Sequence, residues 1–530
     1  MLNCREEMMP SSLFSPEDHR QIREHGVHEE RVVVHIDSFR KPPPYLRLKR
    51  PCHVGDGVRK IPADMHQDFI RRHQEAANQG RLLKFVPASG AASRMFKVLL
   101  WFYENMNNTP VHEISRRAEH GDQNCKDILI FFEGIERFAF LDDLKASMAK
   151  EGLDTHTLLQ QGDFEKVLEY LLTPRGLNYS NLPKGLLKFH RYPGWNRTAF
   201  EEHLVEAAEY VRDARGNCRL HFTVSPEHRE LFESLSRKVL PLYERNYNAR
   251  LQVDFSIQKP STDTVAVDMN DQPFRLHDGR LLFRPAGHGA LIENLNDLAG
   301  DVVFVKNIDN VVPDRLKAQT FLWKKILAGY LIEIQRKIFG FAGKLQEGAR
   351  DRAFLDKAST FAREELCLSI PQSLEGGSGQ EYGDFLLSSF DRPVRVCGVV
   401  RNYGEPGGGP FWVEGQNGTL SPQIVEKAQV DPSSSDQEKI WASATHFNPV
   451  DIVCGILDYK GNPFDLRRYV DENAYIITFK SHSGRGLKAL ERPGLWNGSM
   501  AYWTTIFVEV PIETFNPVKT VLDLLRDEHQ

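Results

Sequence analysis

Phe85-Val86-Pro87-Ala88-Ser89-Gly90-Ala91-Ala92-Ser93-Arg94-Met95 carries three local signals in succession: the end of an apolar strand, a turn of small residues and the basic start of a helix. Such a turn lets backbone N–H groups and a helix N-terminus face an anion, so a phosphate is its natural guest. Outward from it, residues 82–87 predict a strand and 92–103 the helix that follows. The alternation resumes with a helix over 197–212, a strand over 219–224, a helix over 226–245 and strands over 251–258 and 301–306. Alternating strands and helices imply an α/β fold built on a mainly parallel sheet with right-handed crossovers.

This pattern divides the chain. Residues 1–80 read as a helical and irregular N-terminal layer, broken at Pro42-Pro43-Pro44 before a helix over 63–79. Residues 81–345 read as the core, interrupted by a mostly helical insertion or lid over about 110–180 and closed by a long amphipathic helix over 313–341. A helical and loop connection (346–384) leads to a smaller C-terminal α+β region (385–530) with strands near 394–400, 451–457 and 503–510. Turn-rich stretches at 372–381 and 431–437 read as loops.

Composition sets the class. The chain has 530 residues, of which 41% are hydrophobic and 26% charged, enough for two or more cores. Its formal net charge of −5 excludes a global basic field for nucleic acid. No apolar run approaches membrane-spanning length and no basic-then-apolar leader is evident, so the expectation is a cytoplasmic protein without a membrane partner. Seven scattered cysteines, never in Cys-x-x-Cys spacing, argue against both a disulfide framework and a zinc site.

Four further stretches supply what a nucleoside-triphosphate site needs. In Leu182-Pro183-Lys184-Gly185, a lysine held beside a rigid proline presents a point charge that screens two phosphates brought together. In Arg284-Pro285-Ala286-Gly287-His288-Gly289, glycines on both sides of His288 allow backbone to approach a flat base closely. Val302-Val303-Phe304-Val305-Lys306-Asn307-Ile308-Asp309 is an apolar strand that delivers a carboxylate to the carboxyl edge of a parallel sheet. A single carboxylate there suits Mg²⁺, which keeps several waters and takes other ligands from substrate phosphates. Near the C-terminus stands Phe515-Asn516-Pro517-Val518-Lys519, while Asp451 is a candidate second carboxylate on residue type alone. The stretches Lys480 to Arg485 and Glu491 to Gly498 are both polar and aromatic in the manner of a sugar pocket, and the sequence does not choose between them or assign either to the site.

Taken together, these stretches resemble the sugar-nucleotide pyrophosphorylases of the UDP-glucose and UDP-N-acetylhexosamine type, and the chain is suspected to lie within a bacterial family known only as a domain of unknown function. The loop at 88–95 resembles the signature Ala-Gly-Gly-x-Gly-Thr-Arg-Leu, with Ser89 and Ala92 in place of two glycines, Ser93 in place of threonine, and Gly90 kept. The Pro-Lys-Gly turn, the Thr223-Val224-Ser225 strand end, the Phe-x-Gln strand with Gln258, Gly287-His288-Gly289, Asn307-Ile308-Asp309-Asn310 and Pro517-Val518-Lys519 are similar to the family's remaining motifs. The resemblance covers about 82–310 and 508–526.

It implies a GT-A-like, Rossmann-type sheet and a nucleotidyl transfer in which a sugar-1-phosphate attacks a nucleoside triphosphate, with UTP favoured, and pyrophosphate leaves. On this resemblance Ala88, Ser89, Gly90, Ala91, Gln258, Gly287, His288 and Gly289 bind the nucleotide. Arg94, helped by Lys97, stabilises pyrophosphate, Lys184 steers the sugar phosphate, Lys519 reaches the phosphates and Asp309 holds Mg²⁺. Two expectations follow: Lys184 and Lys519 converge on one site, and Ser89 and Ala92 keep φ negative so that Gly90 alone cannot accept a side chain. A glycosyltransferase on the same fold and a non-catalytic nucleotide-binding protein are the alternatives. The strand end at Asn307-Ile308-Asp309 lacks the first aspartate of an Asp-x-Asp, which counts against the former, and the two replaced loop glycines favour the latter.

Overall fold

Strands covered by helices on both faces need apolar side chains on both, and Leu82–Pro87 satisfies this by sending Leu82 and Val86 into one apolar cluster and Leu83 and Phe85 into another. The computed structural model describes residues 13–90, 92–106, 109–375, 377–404, 407–415 and 418–530. Nine strands form the central sheet: β1 (His53–Val54), β2 (Gly57–Arg59), β3 (Leu82–Pro87), β4 (Asn217–Val224), β5 (Arg250–Ile257), β6 (Val302–Lys306), β7 (Val394–Arg401), β8 (His446–Gly455) and β9 (Thr504–Glu509). Their order is β1-β2-β9-β7-β8-β6-β3-β4-β5. Every neighbouring pair is parallel except the two that β8 makes, with β6 and with β7. The α/β class with a mixed, mainly parallel sheet flanked by helices is therefore the observed architecture.

The boundaries read from the sequence shift in three places. The region from 385 onward is continuous with the core, because β7, β8 and β9 complete the same sheet that β3 begins. The N-terminal layer is not only helical and irregular: β1 and β2 extend this sheet, and Arg47–Pro51 pairs with Gly409–Glu414 in a separate three-stranded antiparallel sheet. Within 372–381, read as a loop, short helix Gln372–Glu375 forms and Ser378 caps the helix Gly379–Phe390. The insertion is helical, with Val111–Glu119, Gln123–Glu133, Leu141–Ala149, Thr155–Gln161 and Phe164–Leu172 in succession. Its Phe131, Phe132 and Phe164 join the main apolar cluster, so it packs as core.

Strand β8 begins at His446 instead of 451 because Pro449 interrupts the pattern at a bulge. Gly398 pairs with Asp451 but Val400 with Phe447, leaving Asn448, Pro449 and Val450 opposite Val399. Val450 takes φ of 55°, the left-handed region that a β-branched side chain rarely enters. The bulge is held by the Asn448 side chain, whose Oδ1 accepts from the Val450 N–H at 3.0 Å.

Below the sheet lies helix α1 (Ala199–Tyr210), buried at every residue except Glu209. Thr198 and Glu201 form its capping box. Glu206 points from α1 at the sheet and accepts from Lys84 of β3 and from Lys306 of β6, each at 2.7 Å, with all three side chains at 2% exposure or less. Burial by itself would raise the Glu206 pKa, but Lys306 and Lys84 hold it well below the ordinary carboxylate range. Beside this triad, Lys324 from helix α2 (Lys317–Gln346) pairs with Asp451 of β8, and Lys317 with Glu202 at 2.8 Å. Asp451 is thus 2% exposed and committed to a lysine, which removes it as a second cation ligand.

Removing one partner of a buried ion pair strands the others, so Glu206→Gln is expected to cost about 3–5 kcal/mol of stability. Replacing Lys84, Glu206 and Lys306 together by apolar residues of similar volume is expected to recover most of that loss. Urea denaturation of the two variants beside the parent checks both outcomes.

Candidate active site

In an open α/β sheet, ligands sit outside the carboxyl ends of the strands where the strand order reverses. Here β4 and β5 follow β3 on one side and β6 lies on the other, so the reversal falls between β3 and β6. Ala88–Gly90 follows β3 and Asn307–Asn310 follows β6, placing both at that edge.

The phosphate-type turn is tied down at each end. The Ala88 N–H donates to the Thr223 carbonyl at 2.8 Å, and the Ala92 N–H to the Leu182 carbonyl at 2.9 Å. The second bond brings the Lys184 turn alongside. Ala92–Arg94 is a 3₁₀ turn and the α-helix begins only at Lys97. Ser89, Gly90 and Ala92 all avoid the left-handed region, so a side chain at 89 and 92 costs no backbone strain. A Cβ at Gly90 would meet no protein atom within 4 Å. Arg94 and Lys97 are exposed at the helix start, while Ala91 lies outside the described residues.

Lys184 lies on a 3₁₀ turn that begins immediately after Pro183, whose ψ of 150° keeps the preceding chain extended. Its ammonium donates to Asp309 Oδ2 at 2.6 Å and to the Val518 carbonyl at 2.7 Å. Both side chains are half-buried, with 16% and 18% exposure, so the pair is shielded yet reachable. Around it the chain is stitched together by two further hydrogen bonds. The Val518 N–H donates to the Asp309 carbonyl at 3.0 Å, and the Asn516 N–H to Asn310 Oδ1 at 2.9 Å. Lys184, Asp309 and the Val518-Lys519 segment, far apart in the chain, meet at one sheet edge.

Asp309 and Lys519 line one cleft of about 160 Å³, shared with Asn307, Glu426, Asn448 and Trp496. The Lys519 ammonium lies 5.7 Å from the centre of the Phe447 ring, another wall of the cleft. Glu426, Phe447 and Asn448 were not found from the sequence. Glu426 follows a hairpin strand, Leu420–Val425, inserted between β7 and β8, and no local pattern signals that this hairpin folds over the site.

The Gly-His-Gly turn is packed against the segment 491–496. A Cβ at Gly289 would come within 2.1 Å of the Pro493 carbonyl oxygen, and one at Gly287 within 3.2 Å of Glu491. The 491–494 segment packed on the turn leaves no room for a side chain at Gly289 and little at Gly287. His288 accepts the Leu495 N–H at Nδ1, 3.0 Å away, and stacks on Trp496 with ring centroids 4.1 Å apart. Burial lowers its pKa against the opposing pull of Glu426 and Glu491, and the neutral ring carries its proton on Nε2. Gln258, at the end of β5, donates to Asp263 at 3.3 Å.

Among the described residues, no group of three or more His, Cys, Asp or Glu is arranged to hold a metal ion. No helix among them is long and apolar enough to cross a membrane.

The family is shown by a match over residues 15–530 to the domain of unknown function DUF4301. The chain belongs to the DUF4301 family. No curated protein matches it in sequence. Among solved structures it is similar to UDP-N-acetylglucosamine pyrophosphorylase from Trypanosoma brucei in complex with an inhibitor, at 12% identity and a TM-score of 0.47, over 97% of this chain and 79% of that one. It is also similar to the L281D mutant of UDP-glucose pyrophosphorylase from Leishmania major in complex with UDP-glucose, at 11% identity and a TM-score of 0.45, over 98% and 79%. A putative UDP-N-acetylglucosamine pyrophosphorylase from Entamoeba histolytica matches at 11% identity and a TM-score of 0.41, over 88% and 84%.

The C-terminal segment of this DUF4301 chain is latched through buried histidines. His190 Nδ1 faces Glu202 Oε1 at 2.9 Å, and because the carboxylate only accepts, His190 donates there and accepts at Nε2 from His529 Nδ1, 3.0 Å away. His529 Nε2 is buried without a partner, so a second proton has nothing to bond to, and burial lowers the His529 pKa to about 3. An unfolded histidine titrates near 6.5, so the folded state binds fewer protons below that pH. The latch contributes fully above about pH 6.5 and is lost progressively as pH falls toward 3.

Three outcomes are expected. Between pH 6.5 and 4, the stability of the parent should fall more steeply than that of His529→Gln, by about 1.4 kcal/mol per pH unit, in urea titrations at stepped pH. Lys184→Met leaves Asp309 and the Val518 carbonyl without their donor and should cost about 1–3 kcal/mol by thermal denaturation. Asp309→Asn keeps the shape and should cost less than Lys184→Met in the same measurement.

Proposed function

We propose that this protein is a nucleotidyltransferase that joins a sugar-1-phosphate to a nucleoside triphosphate, with UTP the favoured donor, and releases pyrophosphate. The observation that carries this reading is the meeting of Asp309, Lys184 and the Lys519 segment beside the small-residue turn Ala88–Gly90, at the point where the strand order reverses. In the reaction a phosphate oxygen of the sugar-1-phosphate attacks the α-phosphorus in line. A new P–O bond forms as the bond to the bridging α–β oxygen breaks, and pyrophosphate leaves with that electron pair.

Little covalent chemistry falls to the protein in such a transfer, so positioning and charge neutralisation do the catalysis. The turn N–H groups receive the triphosphate, and exposed Arg94 and Lys97 at the helix start meet the departing pyrophosphate. Lys184 and Lys519 bring two cations to phosphates that would otherwise repel. Asp309, half-buried at the carboxyl edge of the sheet, fits a Mg²⁺ site of the one-carboxylate kind, in which substrate phosphates and waters complete the shell. When bound, the ion would neutralise charge on the triphosphate oxygens. Lys184 then has to share or yield Asp309 Oδ2, while the Val518 carbonyl keeps its ammonium at the site.

Incubation with UTP or GTP, Mg²⁺ and a panel of sugar-1-phosphates, scored by pyrophosphate release, tests this reading. Turnover should appear with at least one pair and fall by more than the roughly tenfold that 1.4 kcal/mol represents in Asp309→Asn and in Lys519→Ala. Calorimetric titration showing no nucleoside triphosphate bound at millimolar concentration would sink it.

A further inference from the structure

The cleft that holds Asp309 and Lys519 has an aromatic wall, and that wall is built before any ligand arrives. Trp496 is fixed on three sides. One face stacks on His288, its indole N–H donates to Glu426 Oε1 at 3.2 Å, and its carbonyl accepts from the fully buried Arg395 at 2.6 Å. The next residue, Asn497, donates to the Ile424 carbonyl at 3.0 Å, tying the wall to the hairpin strand that leads into Glu426. An indole so held loses little entropy when it binds.

Size and chemistry then narrow the occupant. At about 160 Å³ the cleft falls below the roughly 300 Å³ at which pockets for drug-sized ligands begin, so it takes one ring and not a whole nucleotide sugar. An aromatic face beside a carboxylate suits a pyranose, which offers a C–H face to the ring and hydroxyl donors to the acceptor. Glu426 accepts from Trp496 and from the Gln429 backbone, and a carboxylate with about four lone-pair sites retains capacity for hydroxyls. The cleft is lined by charges of both signs, Lys519 over the Phe447 ring, Asp309, and Glu426 bonded to the Trp496 indole.

We infer that Trp496 and Glu426 form the sugar subsite and that it selects neutral hexose 1-phosphates over hexuronic acid 1-phosphates. This rests on the nucleotidyltransferase reading of the same cleft. The phosphate goes to the lysine end and the ring lies against the indole. A C6 carboxylate would then confront Glu426 with a like charge in a partly desolvated cleft, whereas a C6 hydroxyl donates to it.

The experiment is calorimetric titration of the full chain, with Mg²⁺ and a non-hydrolysable UTP analogue, against α-D-glucose 1-phosphate and α-D-glucuronic acid 1-phosphate. UTP binding is measured in parallel. The parent should bind the glucose compound at least roughly tenfold tighter. Glu426→Gln, which keeps the shape and the Trp496 contact, should weaken glucose 1-phosphate and shrink that preference to within about threefold. Trp496→Phe, a milder change than truncation, should weaken both compounds while leaving UTP affinity in place. Equal affinities in the parent, a preference unchanged in Glu426→Gln, or UTP binding with no sugar phosphate bound would each overturn the subsite alone. Loss of Mg²⁺-dependent UTP binding in Glu426→Gln would also overturn it, by placing that carboxylate on the cation. Failure of the parent to bind UTP or either sugar phosphate would instead overturn the nucleotidyltransferase reading on which the subsite rests.

Discussion

Glu206 fastens the molecule at the place where its chemistry sits. Its two oxygens take Lys84 of β3 and Lys306 of β6, the two adjacent parallel strands whose carboxyl ends frame the candidate site. A fully buried carboxylate between two buried ammonium groups is costly to desolvate and tolerable only while all three partners are present. The triad therefore specifies which strand lies beside which more sharply than apolar contacts alone, since a slipped register would bury an unpaired charge. With β3 and β6 locked, the turn at Ala88–Gly90 and the Asp309 carboxylate have one relative placement.

The site above this anchor is assembled from pieces of very different chain position. Lys184 lies in the connection between β3 and α1, Asp309 after β6, and Lys519 close to the end of the chain. Their juxtaposition depends on Lys184 bonding both to Asp309 and to the Val518 carbonyl, and on the His529–His190–Glu202 chain that pins the terminal segment. The bulge at Asn448–Val450 supplies another wall and carries Val450 in a left-handed conformation, a strain that the Asn448 side chain holds in place. The strained bulge and Asp309 of the shielded ion pair both line one small cleft, which is where a protein gains most from rigid placement of charge.

The alternation of apolar runs and helical periods made the α/β sheet legible, and the short motifs marked Lys184, Asp309 and Lys519 as chemistry-bearing positions. Less legible were features whose meaning depends on what lies opposite. The Glu201, Glu202 and Glu206 positions of α1 have the composition of a solvated helix face, yet all three are buried, Glu202 and Glu206 against Lys317, Lys84 and Lys306 and Glu201 against Thr198, Trp195 and Tyr243. Gly287 and Gly289 gave no local sign that the 491–494 segment packs against them. Asp451 had only the residue type of a cation ligand, and its register on β8 pairs it with Lys324.

By itself the sequence determined what is local: the strands, since an apolar run buried on both faces reads the same in any context; the small-residue turn; and the carboxylate at a strand end. Only the tertiary structure decided which charges are neutralised inside, which strands after 385 join the sheet, and that Glu426 and Trp496 close the cleft. Those outcomes rest on pairings between residues up to hundreds of positions apart, where the free energy lies in desolvation and hydrogen-bond geometry that neither residue's own neighbourhood encodes.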